Sequence, residues 1–278
     1  MNIDKDEPVL RSIPMPSDTI AENYVSAGWI MSQMDLAGGK HAYNYTNGRT
    51  VTVALNAMSF HQPIFVSDEV SIYGEYLRVG SSSLTIGIAA WAHRRGSKER
   101  IKVTEAVFTF VHTDENRDPV LITKRPEIEI APGYTPKGRQ NNDTLNPTLT
   151  KEQMVQELNK GKEIALKTVP LPRDTNYLGD IFGGWILSQM DLAGLMQASD
   201  FANKRVVTVG IEDMVFYNPV FIGNQVTFLT EVVKKGRTSV TLRVESYVFI
   251  NEKEAYEKVT EGLFSYVAVD ENRSPIPI

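Results

Sequence analysis

Gly28-Trp29-Ile30-Met31-Ser32-Gln33-Met34-Asp35-Leu36-Ala37-Gly38 returns, with one change, as Gly184-Trp185-Ile186-Leu187-Ser188-Gln189-Met190-Asp191-Leu192-Ala193-Gly194. The two stretches lie 156 positions apart, and the same offset holds outward on both sides. Of the 25 positions from Pro14 to Gly38, 14 are identical to those from Pro170 to Gly194. Downstream, Arg49, Val51, Thr52, Val53, Met58, Phe60 and Pro63 meet Arg205, Val207, Thr208, Val209, Met214, Phe216 and Pro219. Asp114-Glu115-Asn116-Arg117 meets Asp270-Glu271-Asn272-Arg273. The 278 residues are therefore two copies of one domain in tandem.

The boundaries read as a first domain over 1–121, a linker over 122–162 and a second domain over 163–278. The linker is rich in Pro, Asn, Thr and Gly, with Thr150 placed to cap a short helix running to Leu158. Each copy begins with a short strand (Pro8–Ile13, Ile164–Val169), followed by a Pro- and Asp-rich loop. A helix then spans about Ala27 to Tyr43, and about Gly183 to Ala202 in the second copy. Four β-rich segments follow, in the second copy Val206–Phe216, Gln225–Lys234, Ser239–Ile250 and Ala255–Val269. Alternation in Val240-Thr241-Leu242-Arg243-Val244-Glu245-Ser246-Tyr247-Val248 predicts a sheet with one covered face. One helix with about five strands per copy is α+β: a single sheet wrapped around a central helix.

The helices are apolar nearly all round, which predicts that they are mostly buried. Asp35 and Asp191 are the exceptions in their middles. A carboxylate in an apolar helix is costly unless it is paired or useful, so each is either a structural acceptor or a functional group. Leu178-Gly179-Asp180-Ile181-Phe182-Gly183-Gly184 opens the second helix. Glycines there let the backbone approach a ligand, and first-turn N–H groups can hold a developing negative charge. Such a turn with a nearby Asp supplies a polarising end and a base. The first copy reads Asn23-Tyr24-Val25-Ser26-Ala27-Gly28 at the equivalent place, so Tyr24 replaces Asp180 and Ala27 replaces Gly183.

Hydrophobic residues make up 42% of the chain and charged residues 23%, which are globular proportions. No apolar run reaches membrane-helix length, and the acidic, polar start has no secretory-signal pattern. Cys is absent, which excludes disulfides, thiolate metal sites and a Cys nucleophile, and the cytoplasm is the expected compartment. A net charge of −5 argues against nucleic acid as a partner. His41, His61, His93 and His112 lack metal-ligand spacing, so no metal site is expected. Lys234-Lys235-Gly236-Arg237 is a basic turn, either a solvated hairpin or a phosphate clamp; the first copy offers Arg78 nearby. Thr52 and Thr208 read as β-branched strand residues or as site hydroxyls.

Asp174-Thr175-Asn176, the run from Gly179 to Asp191 and Arg205-Val206-Val207-Thr208-Val209 together resemble the hot-dog-fold acyl-CoA thioesterases, in their tandem, double hot-dog form. The resemblance covers residues 8–120 and 164–278. It implies that the two halves pair with each other and that the chain forms a homo-oligomer, with a trimer of double units as one form. It further implies sites that join the loop of one unit to the helix carboxylate of the other. Asp180 with the Gly183 and Gly184 backbone would then serve Asp35, and the Asn23–Tyr24 loop would serve Asp191. The implied activity is hydrolysis of fatty acyl-CoA, with Asp as base or nucleophile. Thr52 and Thr208 would lie at the substrate, and Arg78, Lys235 and Arg237 would meet the phosphates of coenzyme A. That molecule is part of the substrate, and no cofactor is implied. The decayed first loop predicts that the Asp35 site is the competent one. Two alternatives are a non-catalytic acyl-CoA-binding sensor or scaffold, and a hot-dog enoyl-thioester hydratase; the absence of a His in either helix weighs against the second.

Overall fold

The structure, a computed structural model, describes residues 6–21, 24–96, 99–132, 134 and 148–278. The chain divides into two compact units, Met1–Lys137 with Phe182–Gly184, and Gly138–Ile181 with Trp185–Ile278. The division falls inside the stretch read as a linker. It also assigns the turn Phe182–Gly184 to the first unit, because Gly184 lies against Ser32 and Asp35.

The first unit runs β1 (Leu10–Ser12), β2 (Thr19–Ala21), β3 (Tyr24–Val25), α1 (Ala27–Thr46), β4 (Thr50–Leu55), β5 (Met58–Phe60), β6 (Glu69–Val79), β7 (Ser83–His93) and β8 (Arg100–His112). The strands pair antiparallel in the order β1-β6-β7-β8, with β4 and β5 both on β8. Ser26 caps α1 by accepting from the Trp29 N–H at 3.0 Å, and Asn47 ends it in the left-handed region at φ 51°. The helix packs across β4, β6, β7 and β8, over buried Ile72, Ile86, Ile88, Phe108 and Phe110. Gly38 permits this approach: a Cβ there would lie 2.4 Å from Ile88 Cδ1 and 2.6 Å from Phe110 Cζ.

The second unit runs β9 (Thr148–Thr150), α2 (Lys151–Asn159), β10 (Glu163–Thr168), α3 (Gly183–Ala202), β11 (Val206–Ile211), β12 (Met214–Phe216), β13 (Gln225–Lys235), β14 (Ser239–Ile250) and β15 (Ala255–Ala268). Its order is β10-β13-β14-β15, with β9, β11 and β12 also on β15. The segment Val206–Phe216 is two strands, interrupted where the Glu212 N–H donates to the Leu263 carbonyl. Thr150 caps α2 with a reciprocal bond to Gln153. The helix is no mere linker, however. Met154 is buried against Leu229 and Tyr247, flanked by Leu149, Leu158 and Tyr256.

That cover corrects the expectation of a one-faced sheet, since Val244 through Val248 are all buried. Glu245 sits under it, 4% exposed. It accepts from Lys258 Nζ at 2.7 Å and from Lys162 Nζ at 2.5 Å. Lys258 also reaches Glu261 at 3.0 Å, and Lys162 reaches Glu157 on α2 at 2.7 Å. Burial pushes the Glu245 carboxyl up, but the two lysines outweigh it and hold the group below its ordinary value. α3 is mostly buried or half-buried, with Leu192, Met196 and Phe201 exposed on it. Among the described residues no helix is long and apolar enough to cross a membrane.

Candidate active site

Asp35 is 2% exposed on the sheet side of α1. The antiparallel pairing of β4 with β8 sets Thr52 beneath it, and the Thr52 Oγ1 donates to Asp35 Oδ1 at 2.7 Å. The Gly184 N–H donates to Asp35 Oδ2 at 2.8 Å. Only glycine fits at 184, because a Cβ would lie 2.8 Å from Ser32 Cα and 2.9 Å from Asp35 Cβ. Burial raises the Asp35 carboxyl to about 6, against the pull of the Thr52 and Gly184 hydrogen bonds. A carboxyl poised there is ionised at neutral pH yet basic enough to take a proton.

The same shift sets a stability test. The folded value near 6 exceeds the ordinary 3.8, so the folded state binds the proton more tightly. The associated stability is fully present below about pH 4 and lost as pH rises through about 6, an effect of roughly 3 kcal/mol. Urea unfolding of the wild type and Asp35→Asn, compared from about pH 4 to about pH 8, should therefore show the difference between them changing by about that amount. A difference that stays flat would mean that Asp35 titrates normally.

The second unit carries an equivalent buried carboxylate held by its strand threonine. Asp191 is 2% exposed on α3, and the Thr208 Oγ1 on β11 donates to its Oδ1 at 2.6 Å. The buried Tyr266 hydroxyl donates to the Asp191 main-chain carbonyl at 3.4 Å, and burial pushes that hydroxyl well above its ordinary value. Tyr266 was not among the residues expected from the sequence. The signal was present, since the 156-residue offset sets it opposite Phe110, a change of one hydroxyl beside the carboxylate.

The other expected residues are placed as follows. Gly183 begins α3 within the first unit. Asp180 belongs to the second unit, in a turn where the Asn176 N–H donates to its carbonyl and its own N–H donates to Asn176 Oδ1. Tyr24 packs on Phe65 with ring centroids 5.2 Å apart. Asn23 lies outside the described residues. Arg78 is exposed on β6, and Lys235 ends β13 with Nζ 5.5 Å from the Phe201 ring centroid. Arg237 is exposed, its carbonyl accepting from the Ile278 N–H. The structure thus joins Asp35 with Thr52 and Gly184, and Asp191 with Thr208, and leaves the three basic residues at the surface. Among the described residues no group of three or more His, Asp or Glu is placed to hold a metal.

Against known proteins, the sequence profile of the thioesterase superfamily matches residues 22–98 and 178–249, together more than half of the chain. The acyl-CoA thioester hydrolase YciA of Salmonella typhimurium is 45% identical over 122 residues, 42% of this chain and 90% of that one. An uncharacterized acyl-CoA thioester hydrolase of Haemophilus influenzae is 48% identical over 125 residues, 44% of this chain and 81% of that one. Among solved structures, an acyl-ACP thioesterase from Bacteroides thetaiotaomicron aligns over 92% of this chain and 96% of its own, with a TM-score of 0.58 and 13% identity, a likeness of fold.

Proposed function

The chain belongs to the thioesterase superfamily, and we propose that it is an enzyme hydrolysing acyl-CoA to free acid and coenzyme A. The observation that carries the chemistry is the buried Asp35 carboxylate, held by Thr52 and by the first turn of a glycine-opened helix. Asp35 takes a proton from water as the water oxygen attacks the thioester carbonyl. The tetrahedral oxyanion collapses and expels the thiolate, which then takes up a proton. The Gly184 N–H serves Asp35, so the oxyanion-polarising role falls to Gly183 beside it.

The two copies are not equivalent in this reading. Where Phe182-Gly183-Gly184 opens α3, Ser26-Ala27-Gly28 opens α1, and the Ser26 hydroxyl there accepts from a first-turn N–H. Asp35 is accordingly the principal base, with Asp191 secondary. Tyr24, Thr52, Thr208, Arg78, Lys235 and Arg237 are substrate contacts in the same proposal, and the chemistry requires neither a metal nor a redox cofactor. We place the protein in the cytoplasm, supported by its lack of Cys. We also expect a homo-oligomer, supported by the exposed Leu192 and Met196; its mass in solution reads this directly.

The test is release of free coenzyme A from a panel running from acetyl- to palmitoyl-CoA, read with a thiol reagent. With no Cys in the chain, the protein contributes no thiol background. Turnover should favour some chain lengths and rise with pH through about 6, where Asp35 ionises. Binding without release from any member would replace the hydrolase with a sensor or scaffold.

A further inference from the structure

The repeat lets one copy serve as a reference for the other, and they differ most sharply on the sheet face turned away from the central helix. In the second unit that face holds the buried Glu245, whose carboxylate accepts from Lys258 Nζ at 2.7 Å and from the Tyr247 hydroxyl at 3.4 Å. Beside it Arg243 pairs with Glu231 at 3.7 Å. The first unit keeps the same strand register. Ala89 faces Glu105 as Glu245 faces Glu261, and Trp91 faces Lys102 as Tyr247 faces Lys258. Both long charged side chains are gone, however: Gly87 stands for Arg243 and Ala89 for Glu245.

What remains is a cavity of about 290 Å³, lined by Leu77, Gly87, Ala89, Trp91, Lys102 and Glu105 among others. Two of the three donors that serve the Glu245 carboxylate have counterparts here, and the third, Lys162, stands opposite Asp6 at the 156-residue offset. Lys102 Nζ holds Glu105 at 2.6 Å, whereas its equivalent Lys258 holds both Glu261 and Glu245. The Trp91 indole N–H, standing for the Tyr247 hydroxyl, is buried without a hydrogen-bond partner. A buried donor left unpaired costs free energy that an acceptor would recover. Glu75 lies over Gly87, which directs an anion to the Lys102 end of the cavity.

The geometry points to a binding site for a small aliphatic carboxylate in this cavity. Its head takes the place of the Glu245 carboxylate, on Lys102 and the Trp91 N–H, and its short apolar body lies along Leu77 and Ala89. This site is separate from Asp35 and does not depend on the thioesterase reading. Lys102 is 35% exposed in its side chain, against 7% for Lys258, so the site is a reversible one.

The full chain has three Trp, so its indole N–H resonances form a small set, and Trp91→Phe assigns the one that matters. Titration with acetate, butanoate and hexanoate at constant ionic strength should move the Trp91 resonance saturably. Butanoate should bind up to about tenfold more tightly than acetate if both added methylenes are buried. Ala89→Glu, which restores the internal carboxylate, should abolish the response, and Lys102→Met should weaken it about tenfold or more. Unmoved Trp29 and Trp185 resonances show that each variant is folded. Asp35→Asn should leave the titration in place, which separates this site from the hydrolytic one. The proposal is overturned if no carboxylate moves Trp91, if phosphate or chloride does so equally well, or if the response survives in a folded Ala89→Glu or Lys102→Met variant.

Discussion

Asp35→Asn lowers kcat for acyl-CoA hydrolysis by about 10²–10⁴-fold, the range expected when a general base is removed. The amide keeps the size of the carboxyl and can still accept one of the two hydrogen bonds from Thr52 and Gly184, so the fold and KM should change far less than kcat. Asp191→Asn, tested beside it, is expected to cost much less. Both carboxylates are buried and both are held by a strand threonine, so a purely structural role predicts similar outcomes for the two variants. The difference comes from the turns. Phe182 offers no side-chain acceptor at the start of α3, whereas Ser26 engages the first turn of α1. Equal losses of kcat would remove the asymmetry, and no loss in either variant would demote both Asp residues to packing.

Lys258→Met should destabilise the protein by about 3–5 kcal/mol, as expected when one member of a buried ion pair is removed. Glu245 would keep Lys162 but lose the lysine beneath it, and Glu261 would lose its partner as well. Adding Glu245→Leu should recover much of the loss, because the pair's cost lies in leaving one charge alone rather than in lacking both. Urea unfolding of the two variants measures this. A cost under about 1 kcal/mol for the single change would mean that water screens the pair as it screens a surface bridge. Because Lys162 joins Glu245 to Glu157, the single variant should also loosen α2, visible as faster amide exchange around Met154.

Much of this molecule was legible before its structure. The repeat, both helices, their central carboxylates and the Thr150 cap all follow from sequence, because each is a local pattern or a match at fixed spacing. The pairing of Asp35 with Thr52 was visible as two retained residues, but which of them touched was not; strand register decides that. Glu245 was misread for a physical reason. A charge on an alternating strand ordinarily faces water, and only α2 and two lysines arriving from other segments bury it. α2 itself was expected, but its docking on the sheet was not, since its stretch is polar and Met154 is its one buried residue. The Trp91 cavity was harder still, because the residues that create it, Gly87 and Ala89, are small.

The tandem arrangement has a consequence for how such a protein changes over generations. When two copies of a fold come from one gene and assemble symmetrically, every mutation is written twice, once in each copy. A chain that encodes the fold twice is released from that rule. Ser26 and Phe182 could part ways without a second event, and so could Ala89 and Glu245. Each half then drifts under its own selection, and one can acquire a new property while the other preserves the old one.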